Sequence, residues 1–197
     1  MTWIITGLGN PGEEYVNTRH NAGRMALEFF AKQKKFGEWK DDKKIKAHVN
    51  RGAVGKSLVV LLAPDTFMNK SGAAVAQFVK SQKMAERLIV VYDDLDLPIG
   101  KIKLSFDRGS GGHKGVESII RAVKTKKFVR IRIGVSPTTP GGKTKKPQGE
   151  KEVVDFILKR FKPAELEILQ KLFKDVGSAI ESIVLDGREI AMNTYNQ

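Results

Sequence analysis

The segment Leu88-Ile89-Val90-Val91-Tyr92 narrows the fold more than any other part of the chain. Its consecutive apolar or aromatic residues show no polar alternation, as expected of a strand buried on both faces. Such a strand needs helices on both sides, and the flanking sequence supplies strands and helices in turn. Residues 2–6, 44–49 and 54–62 read as strands. Residues 101–106 and 128–135 alternate in character, with Val129, Ile131 and Ile133 on one face of the latter and Arg130 and Arg132 on the other. Helices are expected at about 22–34, from Asn69 or Ser71 onward, and at 116–123. A C-terminal amphipathic helix is expected at about 164–185, with Pro163 in its first turn and a stripe including Leu169, Leu172, Phe173, Val176 and Ile180. This alternation predicts an α/β fold: a single compact domain over residues 1–197, with a mixed, mostly parallel twisted sheet flanked by helices. The Pro-, Gly-, Thr- and Lys-rich stretch 136–149 reads as a flexible basic loop.

In folds of this kind functional residues gather in the loops beyond the strand ends. The polar loops 7–20, 64–72, 92–98 and 109–115 are therefore candidates for one shared site. Composition limits what that site does. The chain has no cysteine, which excludes a disulfide scaffold, thiolate metal sites and a cysteine nucleophile. Its 35 Lys and Arg against 22 Asp and Glu give a net charge of +13, which points to a polyanionic partner. The excess is spread along the fold, with ten basic and two acidic residues between Lys101 and Arg132, and is not confined to a tail. The N-terminus lacks a basic segment followed by a long apolar run, and the apolar stretch Val59-Val60-Leu61-Leu62-Ala63 is only strand length. No membrane partner is expected, and the expected location is cytoplasmic.

The chemistry-bearing residues are few. His48 lies in an alternating strand pattern beside lysines, and no histidine pair has metal-ligand spacing, so neither a metal nor a cofactor is expected. His20 lies between a turn-rich loop and Asn21, a candidate helix cap. An imidazole there can accept a proton at neutral pH if a carboxylate fixes its tautomer, and Asp93, Asp94 and Asp96 are available. With no activated serine in view, water is the natural nucleophile. Gly7-Leu8-Gly9-Asn10-Pro11-Gly12 misses the dinucleotide pattern, and no P-loop occurs. The run Gly109-Ser110-Gly111-Gly112-His113-Lys114-Gly115 can present backbone N–H groups to an anion or simply turn the chain. Asn10 and Asn69 each offer a donor and an acceptor.

Together these blocks resemble the bacterial-type peptidyl-tRNA hydrolases. The resemblance rests on Gly7–Gly12 with Tyr15, on Thr18-Arg19-His20-Asn21-Ala22-Gly23 and on Thr66-Phe67-Met68-Asn69-Lys70-Ser71-Gly72. Asp94-Leu95-Asp96-Leu97-Pro98-Ile99-Gly100, the run from Gly109 to Gly115 and Arg130-Ile131-Arg132-Ile133-Gly134-Val135 complete it, in order, over residues 1 to about 160. It implies a monomeric enzyme that cleaves the ester between a peptide, or an N-blocked amino acid, and the 3′-terminal ribose of tRNA. It also implies His20 as general base, Asp94 as its orienting carboxylate, Asn10 as reader of the peptide linkage and Asn69 at the oxyanion. Tyr15, Phe67, Met68 and Asn69 are implied in substrate binding, with His113 supporting the site from behind Asp94. Lys114 departs from the family's G-G-H-N-G and is expected either to contact substrate or to weaken the site. Lys103, Arg130, Arg132, Lys143, Lys145 and Lys146 are expected to hold the backbone of the tRNA acceptor stem and T-arm. Two alternatives stay open: a non-catalytic RNA-binding protein of the same fold, akin to a chloroplast splicing factor, and a small-molecule esterase or amidase.

Overall fold

The computed structural model describes residues 1–197. The buried apolar strand is β5 (Leu88–Pro98), and it lies inside a seven-stranded sheet. The other strands are β1 (Thr2–Gly7), β2 (Lys40–Asp42), β3 (Ala47–Val54), β4 (Ser57–Pro64), β6 (Ile102–Phe106) and β7 (Val129–Ser136), in spatial order β2-β3-β4-β1-β5-β7-β6. The central strands β4, β1, β5 and β7 run parallel, and the flanking pairs β2–β3, β3–β4 and β6–β7 are antiparallel. The alternation in the sequence therefore describes the α/β class correctly.

Helices cover both faces. Ile89 and Val91 of β5 pack in one cluster with residues of α1 (Ala22–Gln33) and α6 (Pro163–Leu185), such as Ala26, Phe30, Val176 and Ile180. Leu88, Val90 and Tyr92 pack in a second cluster with α2 (Ser71–Phe78) and α4 (Lys114–Val123), through Ala74, Val75, Val116 and Ile119. The short helix α3 (Gln82–Ala85) begins at Ser81, whose hydroxyl accepts the Met84 N–H at 3.2 Å. Helices α5 (Glu150–Ile157) and α7 (Arg188–Tyr195) complete the chain. Helix α6 starts at Pro163, where a missing N–H costs nothing, and the Glu165 carboxylate accepts the Lys162 N–H at 2.7 Å.

Several strands differ from their expected spans: β5 runs on to Pro98 through residues read as a polar loop, and β3 and β4 are both shifted. The hairpin β3–β4 turns at Gly55-Lys56, with Gly55 at φ +56, so β3 runs through Gly52 to Val54 instead of ending at residue 49. Gly52 survives inside the strand because the Phe36 ring lies on it: a Cβ there would meet the ring at 2.5 Å. Arg130 is the larger correction. It shares a sheet face with Arg132 but is fully buried, not a surface cation. Its guanidinium lies 4.1 Å from the Phe128 ring centroid and donates to the Arg108 carbonyl at 2.5 Å. The segment before α4 reaches Arg130 through the Arg108 carbonyl, so position on an alternating face does not mean exposure. Burial lowers the pKa of this guanidinium.

The start of α1 is pressed against the strand ends. A Cβ on Gly23 would lie 2.1 Å from the Val91 carbonyl oxygen and 2.9 Å from the Leu8 amide nitrogen. Gly23→Ala must push α1, and with it His20, away from β5. Thermal denaturation should show a loss of about 3 kcal/mol or more. An unchanged midpoint would mean that the contact relaxes freely.

Candidate active site

The loops that follow β1 and β4, the start of α1 and the end of β5 converge with the glycine-rich segment leading into α4. They form an open cleft of about 1350 Å³. At its floor is Asp93, 4% exposed. Both its carboxylate oxygens lie 3.0 Å from His20 Nδ1, and Oδ1 is also 3.1 Å from His113 Nε2. Burial pushes this carboxyl pKa up, but the His20 and His113 rings outweigh that and hold it well below the usual carboxylate range. The carboxylate's contribution to stability is therefore complete above the ordinary carboxylate range, near about pH 4, and is lost only as pH falls through the lower folded value.

The hydrogen bonds fix both tautomers. His113 is the N-cap of α4, and its Nδ1 accepts the Gly115 and Val116 N–H groups at 3.2 and 3.3 Å. A nitrogen that accepts two N–H groups carries no proton, so the proton sits on Nε2 and is donated to Asp93. His20 likewise donates from Nδ1, which leaves Nε2 with its lone pair at the cleft. The rings lie 5.0 Å apart, and Tyr92 meets the His113 ring edge-on at 4.8 Å. Burial pushes the Tyr92 phenol up to about 12, so it stays neutral.

His20, Asp93 and His113 are also spaced as metal ligands are. Their hydrogen bonding does not suit a metal. A ligating imidazole donates its second N–H to an acceptor, whereas the second nitrogen of His113 faces two donors. A metal on Nε2 would require an imidazolate or the loss of the helix cap.

Asn10, 7% exposed, is held on three sides. Its N–H donates to Asn21 Oδ1 and its carbonyl accepts from Asn21 Nδ2, both at 2.9 Å. Its side-chain Oδ1 accepts the Met68 N–H at 2.9 Å. The two Nδ2 donors then remain for the cleft, along with one acceptor direction of Oδ1. Asn21 thus supports the loop with its side chain and does not cap α1 with it.

The structure corrects the expected partner of His20. Asp94 does not reach the imidazole: it points to the other face of the sheet, pairs with Arg132 and accepts the Asp96 N–H at 2.8 Å. Asn10, His20, Phe67, Met68, Asn69, Asp94, His113 and Lys114 all line the cleft, as do Lys103, Arg132 and Lys146. Tyr15, Arg130, Lys143 and Lys145 do not. Tyr15 sits in the turn before His20, where its carbonyl accepts the Thr18 hydroxyl at 2.8 Å. Lys143 and Lys145 are exposed on the loop before α5. Several cleft cations already have partners: Arg132 with Asp94, Lys146 with Asp96 at 2.6 Å, and Lys114 with Glu150 at 3.7 Å. Lys103 and Arg108 have no ion-pair partner, and Arg108 was not singled out from the sequence. Val153, Val154, Ile157 and Leu158 of α5 and the residue after it add an apolar wall.

His20 is fixed from its other side by Arg19. That guanidinium donates to both Glu165 oxygens at 2.9 Å and to the Lys159 and Arg160 carbonyls at 3.2 and 3.0 Å. The Phe156 and Phe161 rings lie against it at 4.6 and 5.1 Å.

The family model described as Peptidyl-tRNA hydrolase matches residues 4–197. The chain is 41% identical over 196 residues to a peptidyl-tRNA hydrolase of Carboxydothermus hydrogenoformans, covering 99% of this chain and 98% of that one. It is 39% identical to one from Chloroflexus aggregans, covering 98% of each. The crystal structure of peptidyl-tRNA hydrolase from Acinetobacter baumannii superposes with a TM-score of 0.87 at 32% identity, over 99% of this chain and 94% of that one. With a match that spans nearly its whole length, a relative of the same size and a shared fold, the chain belongs to the peptidyl-tRNA hydrolase family.

Proposed function

We infer that this protein hydrolyses the ester joining the peptidyl group to the 3′-terminal ribose of peptidyl-tRNA. The observation that carries the reading is the unpartnered Nε2 of His20, backed by Asp93 and facing the same cleft as the Asn10 amide. His20 Nε2 takes a proton from water, and the resulting hydroxide adds to the ester carbonyl. The tetrahedral intermediate then collapses, and the ribose 3′ oxygen leaves with the proton from the imidazolium. Asp93 stabilises that imidazolium and stays ionised. Asn69, whose exposed side chain lines the cleft, steadies the oxyanion together with backbone donors. Asn10 presents both of its Nδ2 N–H donors and so reads an acyl carbonyl of the peptide linkage, a group that a free aminoacyl ester lacks at that place.

Phe67, 59% exposed, with Met68 and the wall from α5 supplies apolar surface for the peptide. The tRNA backbone is held by Lys103, Lys143 and Lys145, and by Lys114 once it leaves Glu150. Contacts of this kind position a substrate without reading its sequence. Arg132 and Lys146 take part only by exchanging a carboxylate for a phosphate, and Arg130 stays in the core. The reaction needs no second subunit, and its substrate arises where ribosomes work, which supports a monomer acting in the cytoplasm. No helix is long and apolar enough to cross a membrane.

The decisive assay is release of an N-acetylated amino acid from its tRNA ester. His20→Ala should lower kcat by about 10²–10⁴-fold. Asp93→Asn should fall by a similar factor, because an amide carries no charge to stabilise the imidazolium and its NH2 group, turned toward His20, upsets that ring's tautomer. Asp94→Asn should change kcat by no more than a few-fold. Equal losses in the two aspartate variants would remove Asp93 from this role. Absence of turnover in the wild type, together with tight tRNA binding, would favour a binding protein instead.

The charge makes a separate prediction. KM should rise with salt, and each of Lys103→Ala and Lys143→Ala should flatten the log–log slope by about 0.7–1. Lys114→Asn should leave kcat near wild type and also reduce the slope. A salt-independent KM would show that these cations do not hold the tRNA.

A further inference from the structure

Asn10 also lines a second cavity, of about 480 Å³. Asn10 is the only residue that lines both this cavity and the catalytic cleft. Its charged groups include Arg24, Glu28, His48 and Asp65, with Trp39 in the wall. None of these was singled out for function by the motifs.

Arg24 is the centre of the group. Its side chain is 13% exposed and extends from the first turn of α1. One terminal nitrogen donates to the Asn10 carbonyl at 3.4 Å, and the other lies 3.6 Å from Asp65 Oδ1. Its Nε lies 3.7 Å from Glu28 Oε1, and His48 Nε2 approaches the same Asp65 oxygen at 3.6 Å. The Arg24 N–H also donates to the Leu8 carbonyl at 3.0 Å. The chain between these contacts has no slack: a Cβ on Gly9 would meet the Arg24 Cβ and the Asn21 amide carbon at 3.0 Å each.

We propose that Arg24, anchored by Asp65 and Glu28, is a positioning residue that sets how strictly Asn10 reads the substrate. This rests on the reading of Asn10 given above. The Asn10 carbonyl has two acceptor directions, and Asn21 and Arg24 occupy both. The two peptide units on either side of the Asn10 Cα are therefore both held, one at its carbonyl by two donors and the other at its N–H by Asn21, so the side-chain amide between them is aimed. The two carboxylates matter because a guanidinium is a fork: with Asp65 and Glu28 attracting its other nitrogens from 3.6 and 3.7 Å, the remaining donor is turned toward the carbonyl. The Met68 N–H, which donates to Asn10 Oδ1, reports whether the aim holds.

The test uses Arg24→Met, Arg24→Lys and Asp65→Asn in the full-length chain, with two independent readouts. For N-acetyl-aminoacyl-tRNA, Arg24→Met should lose about 3- to 10-fold in kcat with KM within twofold, and its preference over unblocked aminoacyl-tRNA should narrow. Amide hydrogen exchange at Met68 should quicken roughly tenfold while amides within β5 keep their protection. Arg24→Lys, which retains a charge but not the fork, should fall between, and Asp65→Asn should move the same way by less. The proposal is overturned if Met68 exchange and substrate preference stay at wild-type values in Arg24→Met. It is equally overturned if exchange rises throughout β5 to the same extent, since that is loss of stability and not of aim. If the wild type turns over neither ester, the hydrolase reading fails, and the Met68 exchange still decides whether Arg24 positions Asn10.

Discussion

A single carboxylate that accepts from two imidazoles organises this end of the molecule. Asp93 is buried at the end of the central strand, and its ionised state is tolerable there only because His20 and His113 both face it. The two histidines arrive from opposite layers: His20 precedes α1 on one face of the sheet, and His113 caps α4 on the other. The carboxylate thus joins the layers as well as the chemistry. The helix cap matters as much as the charge. By occupying His113 Nδ1 with two backbone N–H groups, α4 forces that ring to donate to Asp93, and Asp93 in turn holds the His20 proton on the side away from the substrate.

The surrounding packing serves this geometry. Gly23 allows α1 to touch β5, Arg19 locks the residue before His20 to the segment ahead of α6, and Asn21 holds the Asn10 loop. A catalytic side chain is therefore fixed by contacts on both sides along the chain, which suits a reaction whose rate depends on position. The charge of the protein is partly spent within the fold. Arg130 is buried, and Arg132 and Lys146 are matched by aspartates, so fewer cations are free to meet a polyanion than the 35 Lys and Arg imply.

Much of this was legible in the sequence. Alternating strands and helices gave the layered architecture, and the turn-rich loops marked where Asn10, His20, Met68 and His113 meet. The choice between Asp93 and Asp94 was not legible from the residues alone. Leu88–Tyr92 is apolar on both faces, so nothing in its pattern says which parity faces α1. Only the packing of Ile89 and Val91 against α1 places Asp93 on the His20 side. Arg130 was misplaced for a related reason. Alternation in residues 128–135 marks two faces, but whether the basic face is covered depends on the segment before α4, which lies elsewhere in sequence. Arg24 and Asp65 belong to no motif, and their meeting at the Asn10 carbonyl follows only from the folded path of α1 and β4.

The account depends most directly on where the two ring protons sit. Imidazole nitrogen-15 spectra of the uniformly labelled protein at neutral pH, assigned through His20→Ala and His113→Ala, measure this without substrate. The predicted result is opposite tautomers, with His20 protonated at Nδ1 and unprotonated at Nε2, and His113 protonated at Nε2 and unprotonated at Nδ1. A His113 ring protonated at Nδ1, or a His20 ring protonated at Nε2, would contradict it.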